Sequence, residues 1–371
     1  MKSKTAFSTD TSVSGSVKEI TEQLKDVKPT LVLFFASSIY DPTELSAQMA
    51  LAFPDSVVVG CSTSGEITSG KMLDNALVAS AFSSEVIEDL NIQVVEGIKE
   101  NSIIGLDTAF AKFETYYGEP LATLDFTKYV GMVLFDGLSG VEEEINDLIG
   151  NRTSVSFVGG SAGDDLKFKN TYLYANGKAY QNALLLILIK PAKGFTILKT
   201  QSFNVTDKVL TPTKVNEAQR RVIEFDHKPA SQAYAEAIGV KEEDLAKYFT
   251  KYPLGVVLDN TDPFVRSPHT KEGTDILFFC SLKEGFGLNI LEGRDIVKET
   301  KIDLEKTKAD FGEISGIVNF NCILRTLELK DQKRTENYGE LFSDIPTVGF
   351  STYGETYIGH VNQTATMLVL K

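Results

Sequence analysis

Short apolar runs of strand length alternate along this chain with segments whose apolar residues recur at helical spacing. Three of the runs are LVLFFAS, YVGMVLF and ISGIVNF, at residues 31–37, 129–135 and 314–320. Each is followed by a segment of helical character: DPTELSAQMALAF, GVEEEINDLIG and the weaker KRTENYGELFSDI, at residues 41–53, 140–150 and 333–345. Apolar runs bounded by turn residues are typical of buried strands, and i, i+4 spacing is typical of helices. The pattern therefore predicts three strand–helix pairs.

One eight-residue motif ends the next predicted strand in all three places. VGCSTSGE at residues 59–66 recurs as VGFSTYGE at 348–355 and, more loosely, as VGGSAGDD at 158–165. A further strand-like run follows each copy. Because a strand–helix–strand crossover places its two strands parallel, the repeat predicts an α/β (α+β mixed) fold with mixed sheets. The first and third copies lie near opposite ends of the chain, which suggests two related halves built from a strand–helix–strand–strand unit.

The predicted organisation is two domains preceded by a short lead-in. The lead-in, with a short helix, covers residues 1–29, and the domains cover residues 30–212 and 213–371. The boundary is placed where the hydrophobic pattern breaks, near residues 211–216. A chain of 371 residues is longer than one hydrophobic core usually serves, which favours two domains or one large duplicated domain.

The composition of the chain limits the classes of binding partner and the cellular compartment that we expect. The formal net charge of −14 argues against nucleic acid and against anionic lipid as partners. Cys61, Cys280 and Cys322 are an odd number of cysteines without CxxC spacing, which favours a reduced cytoplasmic protein over a disulfide framework or a zinc site. The N-terminus shows no apolar signal segment, and the apolar run at 183–189 is too short to span a bilayer. We therefore expect a cytoplasmic protein without membrane insertion.

The motif supplies groups from which a ligand pocket can be built. Glycine at the end of a buried strand permits close backbone approach, while serine and threonine supply hydroxyls and the last residue supplies a carboxylate. Ligands of α/β sheets collect at the carboxyl ends of strands. The candidate ligand-binding residues of the three copies are Cys61, Ser62, Thr63, Gly65, Glu66, Gly160, Ser161, Asp164, Ser351, Thr352 and Glu355. Glu66 and Glu355 could instead cap the turns of their own loops, and both roles stay open.

Catalytic and phosphate-binding chemistry fits the motif less well. A nucleophile elbow needs G-x-S-x-G, whereas in the first and third copies the second glycine comes one position later, at Gly65 and Gly354. A Gly-Lys-Ser/Thr phosphate loop is absent, and none of the three histidines has the context of a catalytic base. A hydrolase using Cys61 or the Asp164/Asp165 loop is the remaining enzymatic alternative. Because adjacent carboxylates on a strand point to opposite faces and no complete catalytic set is visible, the sequence predicts a protein that is not an enzyme.

Longer stretches around the motif copies carry a family resemblance. They are VVVGCSTSGEI at 57–67, SFVGGSAGDD at 156–165 with the hairpin YLYANGKAYQNALLLILI at 172–189, NFNCILR at 319–325 and YGELFSDIPTVGFSTYGETYIG at 338–359. These stretches resemble the FIST family of bacterial signal-transduction proteins, with FIST N spanning about residues 30–210 and FIST C about residues 220–365. The resemblance implies a sensory domain that binds a small molecule, with amino acids proposed, and passes the signal to kinases, cyclases or chemotaxis receptors. Some family members are haem-binding nitric oxide sensors that act on a separate histidine kinase.

The leading hypothesis is a non-catalytic sensor that binds an amino acid or similar carboxylate. Since no kinase, cyclase or receptor segment is recognised, we expect it to signal through a separate partner. Arg266 and Arg325 are candidate ligands for the carboxylate, because a guanidinium can hold it with two hydrogen bonds; salt bridges are their alternative role. Haem sensing is the second hypothesis and needs an axial ligand, for which His269 and His360 are the candidates. No other metal site is predicted, and a purely structural interaction module is a further alternative.

Overall fold

The computed structural model describes residues 2–258 and 262–371 and divides into two compact units. The first unit contains residues up to 199 together with 301–360 and 365–371, and the second contains residues 200–300 and 361–364. None of the helices in the described ranges has the length and apolar character needed to cross a bilayer.

The first unit begins with a repeat of eight elements. They are β1 (Ser3–Ser8), α1 (Val13–Leu24), β2 (Pro29–Ser37), α2 (Pro42–Ala52), β3 (Val57–Thr63), β4 (Glu66–Thr68), β5 (Lys71–Leu73) and β6 (Leu77–Ser83). Helix α2 starts where the sequence predicts, because Asp41 accepts the N–H of Glu44 at 2.8 Å and Pro42 occupies the first helical position.

The second repeat has the same eight elements in the same order. They are β7 (Ile87–Glu96), α3 (Ile98–Tyr117), β8 (Val130–Phe135), α4 (Glu142–Gly150), β9 (Phe157–Ser161), β10 (Leu173–Ala175), β11 (Lys178–Tyr180) and β12 (Ala183–Pro191). Three acidic residues in the first turn of α4 face the positive end of its helix dipole.

The third repeat opens with β13 (Phe195–Gln201) and is then interrupted in sequence by the second unit. The second unit contains β14 (Phe203–Leu210), β15 (Pro212–Asn216), β16 (Arg221–Phe225), β17 (Lys228–Pro229), α5 (Ala230–Ile238), β18 (Leu254–Val256), β19 (Phe264–Arg266), β20 (Pro268–Glu272), β21 (Asp275–Phe278) and β22 (Leu288–Gly293). The repeat resumes with α6 (Ile296–Phe311), β23 (Gly316–Cys322), α7 (Ile323–Asp331), α8 (Thr335–Glu340), β24 (Thr347–Thr352), β25 (Glu355–Tyr357), β26 (His360–Val361) and β27 (Thr364–Leu370).

The three repeats form three six-stranded mixed sheets with one common strand order. The orders are β1–β6–β2–β3–β10–β11, β7–β12–β8–β9–β25–β26 and β13–β27–β23–β24–β4–β5. In each sheet the two crossover strands pair in parallel. The last strand of the repeat, which is β6, β12 or β27, pairs antiparallel to the first crossover strand. The hairpin after each motif leaves its own repeat and extends another repeat's sheet. The three repeats are therefore tied together by hairpin exchange.

The inner faces of the three sheets meet in one hydrophobic core. Each sheet contributes buried residues to this core, such as Phe35 from β2, Ile187 from β12 and Phe350 from β24. The rings of Phe35 and Phe350 lie 4.5 Å apart between centroids. The outer face of the first sheet packs against α1 and α2, and that of the second packs against α3 and α4. This layering explains why the central strands are apolar throughout.

The second unit has its own sheets and core. Its strand orders are β14–β22–β18–β19 and β15–β16–β21–β20, with β17 pairing with β16. Its core includes Phe225, Tyr234 and Ile276, all of which are fully buried. Helix α5 ends at Gly239, which has a positive φ of 74°, as the sequence indicates.

The mixed α/β class and the strand–helix–strand–strand repeat are confirmed. The structure shows the repeat three times, once for each motif copy, and residues 3–24 of the predicted lead-in form β1 and α1 of the first repeat. The third crossover differs from the predicted single helix at 333–345, because α7 precedes a shorter α8. Gly339 of α8 packs against the backbone of Lys71, which explains a glycine inside a helix.

Candidate functional site

The three motif copies meet and form a closed ring of backbone hydrogen bonds, here called the motif ring (residues 59–66, 158–165 and 348–355). The sixth residue of each copy donates its N–H to the serine carbonyl of another copy. These bonds join Gly163 to Ser62 at 2.9 Å, Ser64 to Ser351 at 3.4 Å, and Tyr353 to Ser161 at 3.2 Å. Each copy gives one bond and receives one, so the ring closes after three. The sequence does not reveal this pattern, because it depends on hairpin exchange.

The second residue of the motif is glycine in all three copies, because the neighbouring parallel strand leaves no space for a side chain. A Cβ at this position would overlap the carbonyl oxygen of the neighbouring strand, far inside the 3.0 Å that real Cβ atoms keep. The clashing pairs are Gly60 with Phe34, Gly159 with Val133 and Gly349 with Asn319. All three copies thus need glycine here for the same reason, which is close backbone approach.

Most predicted ligand residues lie inside the motif ring and bond to one another. The Ser62 hydroxyl donates to the Gly163 carbonyl at 2.7 Å, and the Thr352 hydroxyl donates to the Ser161 carbonyl at 2.8 Å. Glu355 starts β25 opposite Gly160 of β9. The predicted residues of the three copies are at most 2% exposed where they carry side chains: Cys61, Ser62, Thr63, Glu66, Ser161, Asp164, Ser351, Thr352 and Glu355. The contacts of Ser62 and Thr352 join the motif copies to each other.

Cys61 faces the shared hydrophobic core. Its side chain is fully buried among the apolar residues of the three sheets. Burial raises the pKa of the Cys61 thiol, which keeps the thiol protonated. A nucleophilic cysteine needs the opposite shift and access to substrate.

Glu66 is fully buried in the motif ring. Its carboxyl group bonds to the Thr63 hydroxyl and accepts the N–H of Ala76 at 3.0 Å. Burial raises its pKa well above the ordinary value, and the two hydrogen bonds oppose this effect only in part. Glu66 closes the turn between β3 and β4, which is the capping role that the sequence left open.

We expect wild type to lose stability as pH rises, and we expect the Glu66→Gln substitution to remove this loss. Because the folded-state pKa is raised, the protonated form stabilises the fold fully below about pH 4.5, the ordinary value, and this stabilisation is lost as pH rises toward the folded pKa. The slope is at most about 1.4 kcal/mol per pH unit. Urea unfolding from pH 5 to pH 8 measures it, and glutamine can keep both hydrogen bonds. Parallel curves for wild type and variant would contradict the raised pKa of Glu66, and the exposed Glu85→Gln serves as control.

The second motif copy is followed by an extra loop, here called the 164–171 loop, which the other copies lack. Asp164 holds this loop by accepting backbone N–H groups of Phe168, Lys169 and Asn170 at 2.8, 2.6 and 3.0 Å. The Tyr353 hydroxyl donates to the same carboxylate at 2.6 Å. Burial alone would raise the pKa of Asp164, but the hydrogen bonds from Tyr353 and the backbone outweigh it, so the pKa is lowered.

The 164–171 loop is also tied to the end of β2 and to the third motif copy. Asp165 accepts the Ser38 N–H at 2.9 Å and the Ser37 hydroxyl at 2.9 Å. The ring of Phe168 stacks on Tyr353 at 4.9 Å between centroids. Burial and then the bond to Asp164 raise the pKa of Tyr353 to about 12, so it remains a donor. Both adjacent carboxylates therefore hold the loop in place, and neither is arranged as a general acid or base for its neighbour.

A cavity of about 220 Å³ lies between the 164–171 loop and the start of α2. We call it the lysine cavity; it is lined by Ser38, Tyr40, Pro42, Asp164, Lys167, Lys169, Asn170, Tyr172 and Tyr174. It lies at the carboxyl end of β2, where ligands of parallel strands collect, and beside the amino terminus of α2. Of the predicted ligand residues, Asp164 alone lines it.

The lysine cavity has a positive and aromatic lining. Lys167 Nζ donates to the Ser38 hydroxyl at 2.8 Å and lies 3.8 Å from an Asp165 carboxylate oxygen. The Tyr40 hydroxyl donates to the Asp10 carbonyl at 2.6 Å, and burial raises the pKa of Tyr40 to about 12. Because the Asp164 carboxylate is occupied by backbone N–H groups, the lining presents more positive than negative charge to a ligand.

Two further cavities occupy related places in the other repeats. Each of the three lies between a crossover helix and the hairpin exchanged onto its sheet. One of about 620 Å³ lies between α4, residues 151–157 and the β25–β26 turn. One of about 130 Å³ lies between α7, the start of α8 and β5, where Lys330 pairs with Asp74 at 2.6 Å. Of these three cavities, the lysine cavity is the one whose lining contains two lysines.

Arg325 lies in α7 and reaches the motif ring through hydrogen bonds. It is 1% exposed, its Nε donates to the Asn321 carboxamide oxygen at 3.0 Å, and its guanidinium lies 5.9 Å from the centre of the Tyr338 ring. Asn321 donates to the Thr326 hydroxyl at 2.9 Å, which in turn bonds to Ser351 at 2.7 Å. Arg325 therefore braces the third motif copy from within the first unit.

Arg266 and His269 belong to the second unit. Arg266 ends β19, is half-buried and donates to the Val265 carbonyl at 3.2 Å. His269 is exposed on β20, with its ring 4.6 Å from that of Phe279. An exposed ring on a strand surface does not fit an axial haem ligand, which needs an apolar pocket.

His360 lies beside the motif ring in the first unit. A Cβ placed on Gly354 would overlap its imidazole, so the ring is packed directly on that backbone. His360 lines none of the three cavities. In the described ranges, no three His, Cys, Asp or Glu side chains gather as a metal-binding group. The two histidines therefore do not fit the haem hypothesis.

The sequence-based search missed the residues that line the lysine cavity. The missed residues are Ser38, Tyr40, Lys167, Lys169, Asn170, Tyr172 and Tyr174, together with Tyr353 that holds the loop. A signal was present, because LKFKNT (residues 166–171) after the second motif copy inserts residues that the other copies lack and places two lysines among them.

Two family domains match this chain along most of its length. The FIST N domain matches residues 30–228, and the FIST C domain matches residues 230–357. The chain belongs to the FIST family. FIST domains are sensory and signal-transduction domains, which confirms the resemblance seen in the motif copies.

A relative aligns in sequence with nearly the whole chain. It is an uncharacterized protein of Methanocaldococcus jannaschii, 24% identical over 377 aligned positions that cover 91% of this chain and 72% of the relative. The boundary between the FIST N and FIST C matches falls at residues 228–230, inside the second compact unit. The family divides the sequence differently from the compact units, because the second unit is inserted into the third repeat.

Proposed function

We propose that this FIST protein is a non-catalytic sensor that binds a small carboxylate, of amino-acid size, in the lysine cavity. The observation that carries the proposal is the arrangement of Lys167, Lys169 and the amino terminus of α2 around one cavity at the carboxyl end of β2. Lysine ammonium groups and helix amino termini both favour an anionic group. The proposed partner is a separate histidine kinase, cyclase or chemotaxis component.

The size of the lysine cavity supports an amino-acid-sized ligand. Its volume of about 220 Å³ is below the roughly 300–1,000 Å³ of pockets for drug-sized ligands. The buried ring of Tyr174, which stacks on Phe34 at 5.2 Å, gives the cavity a rigid apolar wall. A carboxylate with a short side chain matches both the charge and the volume, and the proposal requires no haem or metal.

The chemistry of the predicted catalytic candidates supports a binding role. Cys61 is inaccessible and protonated, and Asp164 and Asp165 are engaged by backbone N–H groups and by serine hydroxyls. A hydrolase needs an accessible nucleophile with a base within hydrogen-bond reach. The two aspartates instead stabilise the loop that forms one wall of the cavity.

The Lys167→Met/Lys169→Met double variant is expected to lose binding while it keeps its fold. Because a hydrogen bond to a charged group contributes about 1.5–3 kcal/mol, the Kd of the bound carboxylate should rise at least about tenfold. The measurement is thermal shift against an amino-acid and dicarboxylate panel, followed by calorimetry. A ligand at about a hundred times its Kd stabilises wild type by roughly 2.7 kcal/mol.

The matched control is Lys18→Met/Lys112→Met, which removes two exposed helix lysines and the same formal charge. Control and wild type should bind equally. Equal binding by all three proteins would place the ligand outside the lysine cavity, and no shift with any panel member would refute carboxylate sensing.

A further inference from the structure

The cavity beside α4 has a lining that differs chemically from that of the lysine cavity. We call it the α4 cavity; it is the one of about 620 Å³ between α4, residues 151–157 and the β25–β26 turn. Its volume is within the range of pockets that hold drug-sized ligands, roughly 300–1,000 Å³. It occupies the same kind of place as the lysine cavity, between a crossover helix and an exchanged hairpin. Its lining, however, contains neither lysine nor arginine.

A strained isoleucine forms the rim of the α4 cavity. Ile358 has a φ of 53° in the β25–β26 turn, followed by Gly359 with a φ of 133°. The related β10–β11 turn has the favourable pair Asn176–Gly177, with φ values of 46° and 86°. Positive φ is rare for a β-branched residue, and such strain persists mainly at functional positions. Ile358 is also 73% exposed, so burial within the protein does not explain its apolar side chain.

The floor of the α4 cavity is polar. Asn146 Nδ2 donates to the Thr356 hydroxyl at 3.2 Å, and these side chains are only 8% and 2% exposed. Asp147 is exposed at the rim and is the one charged side chain in the lining. Hydroxyl side chains at positions 153, 154 and 156 add further donors and acceptors. The cavity therefore combines a hydrogen-bonding floor with an apolar edge formed by Ile358 and Phe157.

We propose that the α4 cavity binds a neutral, hydroxyl-rich ring such as a monosaccharide or cyclic polyol. Such a ring has one apolar face, which matches Ile358, and peripheral hydroxyls, which can donate to the Asp147 carboxylate and can donate to or accept from the Asn146 carboxamide. Asp147 and the carboxyl end of α4 disfavour a carboxylate or phosphate. This site does not depend on the lysine cavity, so one chain presents two pockets of different selectivity.

The experiment is saturation-transfer NMR on the full chain with glucose, galactose, ribose and myo-inositol as probes. Wild type is expected to bind at least one probe, and Ile358→Asn to weaken that binding about tenfold through loss of apolar contact. The same variant should melt roughly 2–4 °C higher than wild type, because asparagine tolerates this φ. Higher stability with weaker binding distinguishes a functional isoleucine from a structural one.

Asp147→Asn provides a second variant that leaves the turn unchanged, and it should also weaken binding. The Lys167→Met/Lys169→Met protein should bind the probes as wild type does, so failure at the lysine cavity cannot be confused with failure here. The proposal is overturned if no probe binds wild type or if binding survives both α4-cavity variants. It is also overturned if putrescine, a small cation that could pair with Asp147, binds in preference to every sugar.

Discussion

Alanine in place of Gly60 is expected to lower the free energy of unfolding by more than about 4 kcal/mol, a loss that few single substitutions cause. The added Cβ would overlap the Phe34 carbonyl of the parallel strand β2, and a backbone oxygen cannot move aside as a flexible side chain can. Since β3 also carries the first motif copy, a shifted strand would break the motif ring as well. Such a loss is a large part of the 5–15 kcal/mol that stabilises a typical protein.

Urea unfolding and melting temperature measure this effect, with Gly150→Ala as the matched control. Gly150 lies in α4, and a Cβ there has no atom within 4 Å, so alanine should be neutral or slightly stabilising. Equivalent losses are expected at Gly159 and Gly349, whose added Cβ atoms overlap the corresponding carbonyls. If Gly60→Ala unfolds like Gly150→Ala, the close approach of β2 and β3 is wrong.

Removal of the Asp164 carboxylate is expected to cost about 2–4 kcal/mol and to abolish ligand binding in the lysine cavity. Asp164→Ala leaves the N–H groups of Phe168, Lys169 and Asn170 without their acceptor and releases the Tyr353 hydroxyl. Because those residues form one wall of the cavity, the same substitution should remove stability and binding together. Thermal unfolding and calorimetry on one sample series test both effects.

The effect of Asp164 on stability depends on pH in a definite direction. Its folded-state pKa is lowered, so its contribution is present above the ordinary value of 3.8 and is lost as pH falls through the folded pKa. The difference between wild type and Asp164→Ala should therefore shrink below about pH 3.8. The control is Asp107→Ala, which breaks an exposed pair with Arg152 and should cost less than about 1 kcal/mol. A pH-independent difference would show that the loop is held by something other than this carboxylate.

The recurrence of one motif allowed the repeating unit to be predicted, since each copy sits between runs of recognisable strand and helix period. The exchange of hairpins could not be predicted, because β4, β10 and β25 have three residues each and their partners are chosen by tertiary packing. The place of the second unit was equally hidden. Its strands and its helix have the same local patterns as those of the repeat that it interrupts.

The candidate site was predicted in part. The motif that contains Gly60 and Ser62 was identified as the end of a buried strand. Local sequence does not, however, distinguish a loop that contacts a ligand from a loop that contacts the two other motif copies. Lys167 and Lys169 escaped notice because the search followed the features that the copies share. Both lysines lie in the insertion that distinguishes the second motif copy from the other two. This difference between the copies was a more informative signal than the features that they share.

The most direct measurement is a crystal structure of the protein grown with the carboxylate that gives the largest thermal shift. We expect density for that ligand between Lys167, Lys169 and the amino terminus of α2, with its carboxylate within hydrogen-bond distance of at least one lysine. Well-defined ligand density elsewhere, with the lysine cavity filled only by solvent, would contradict it.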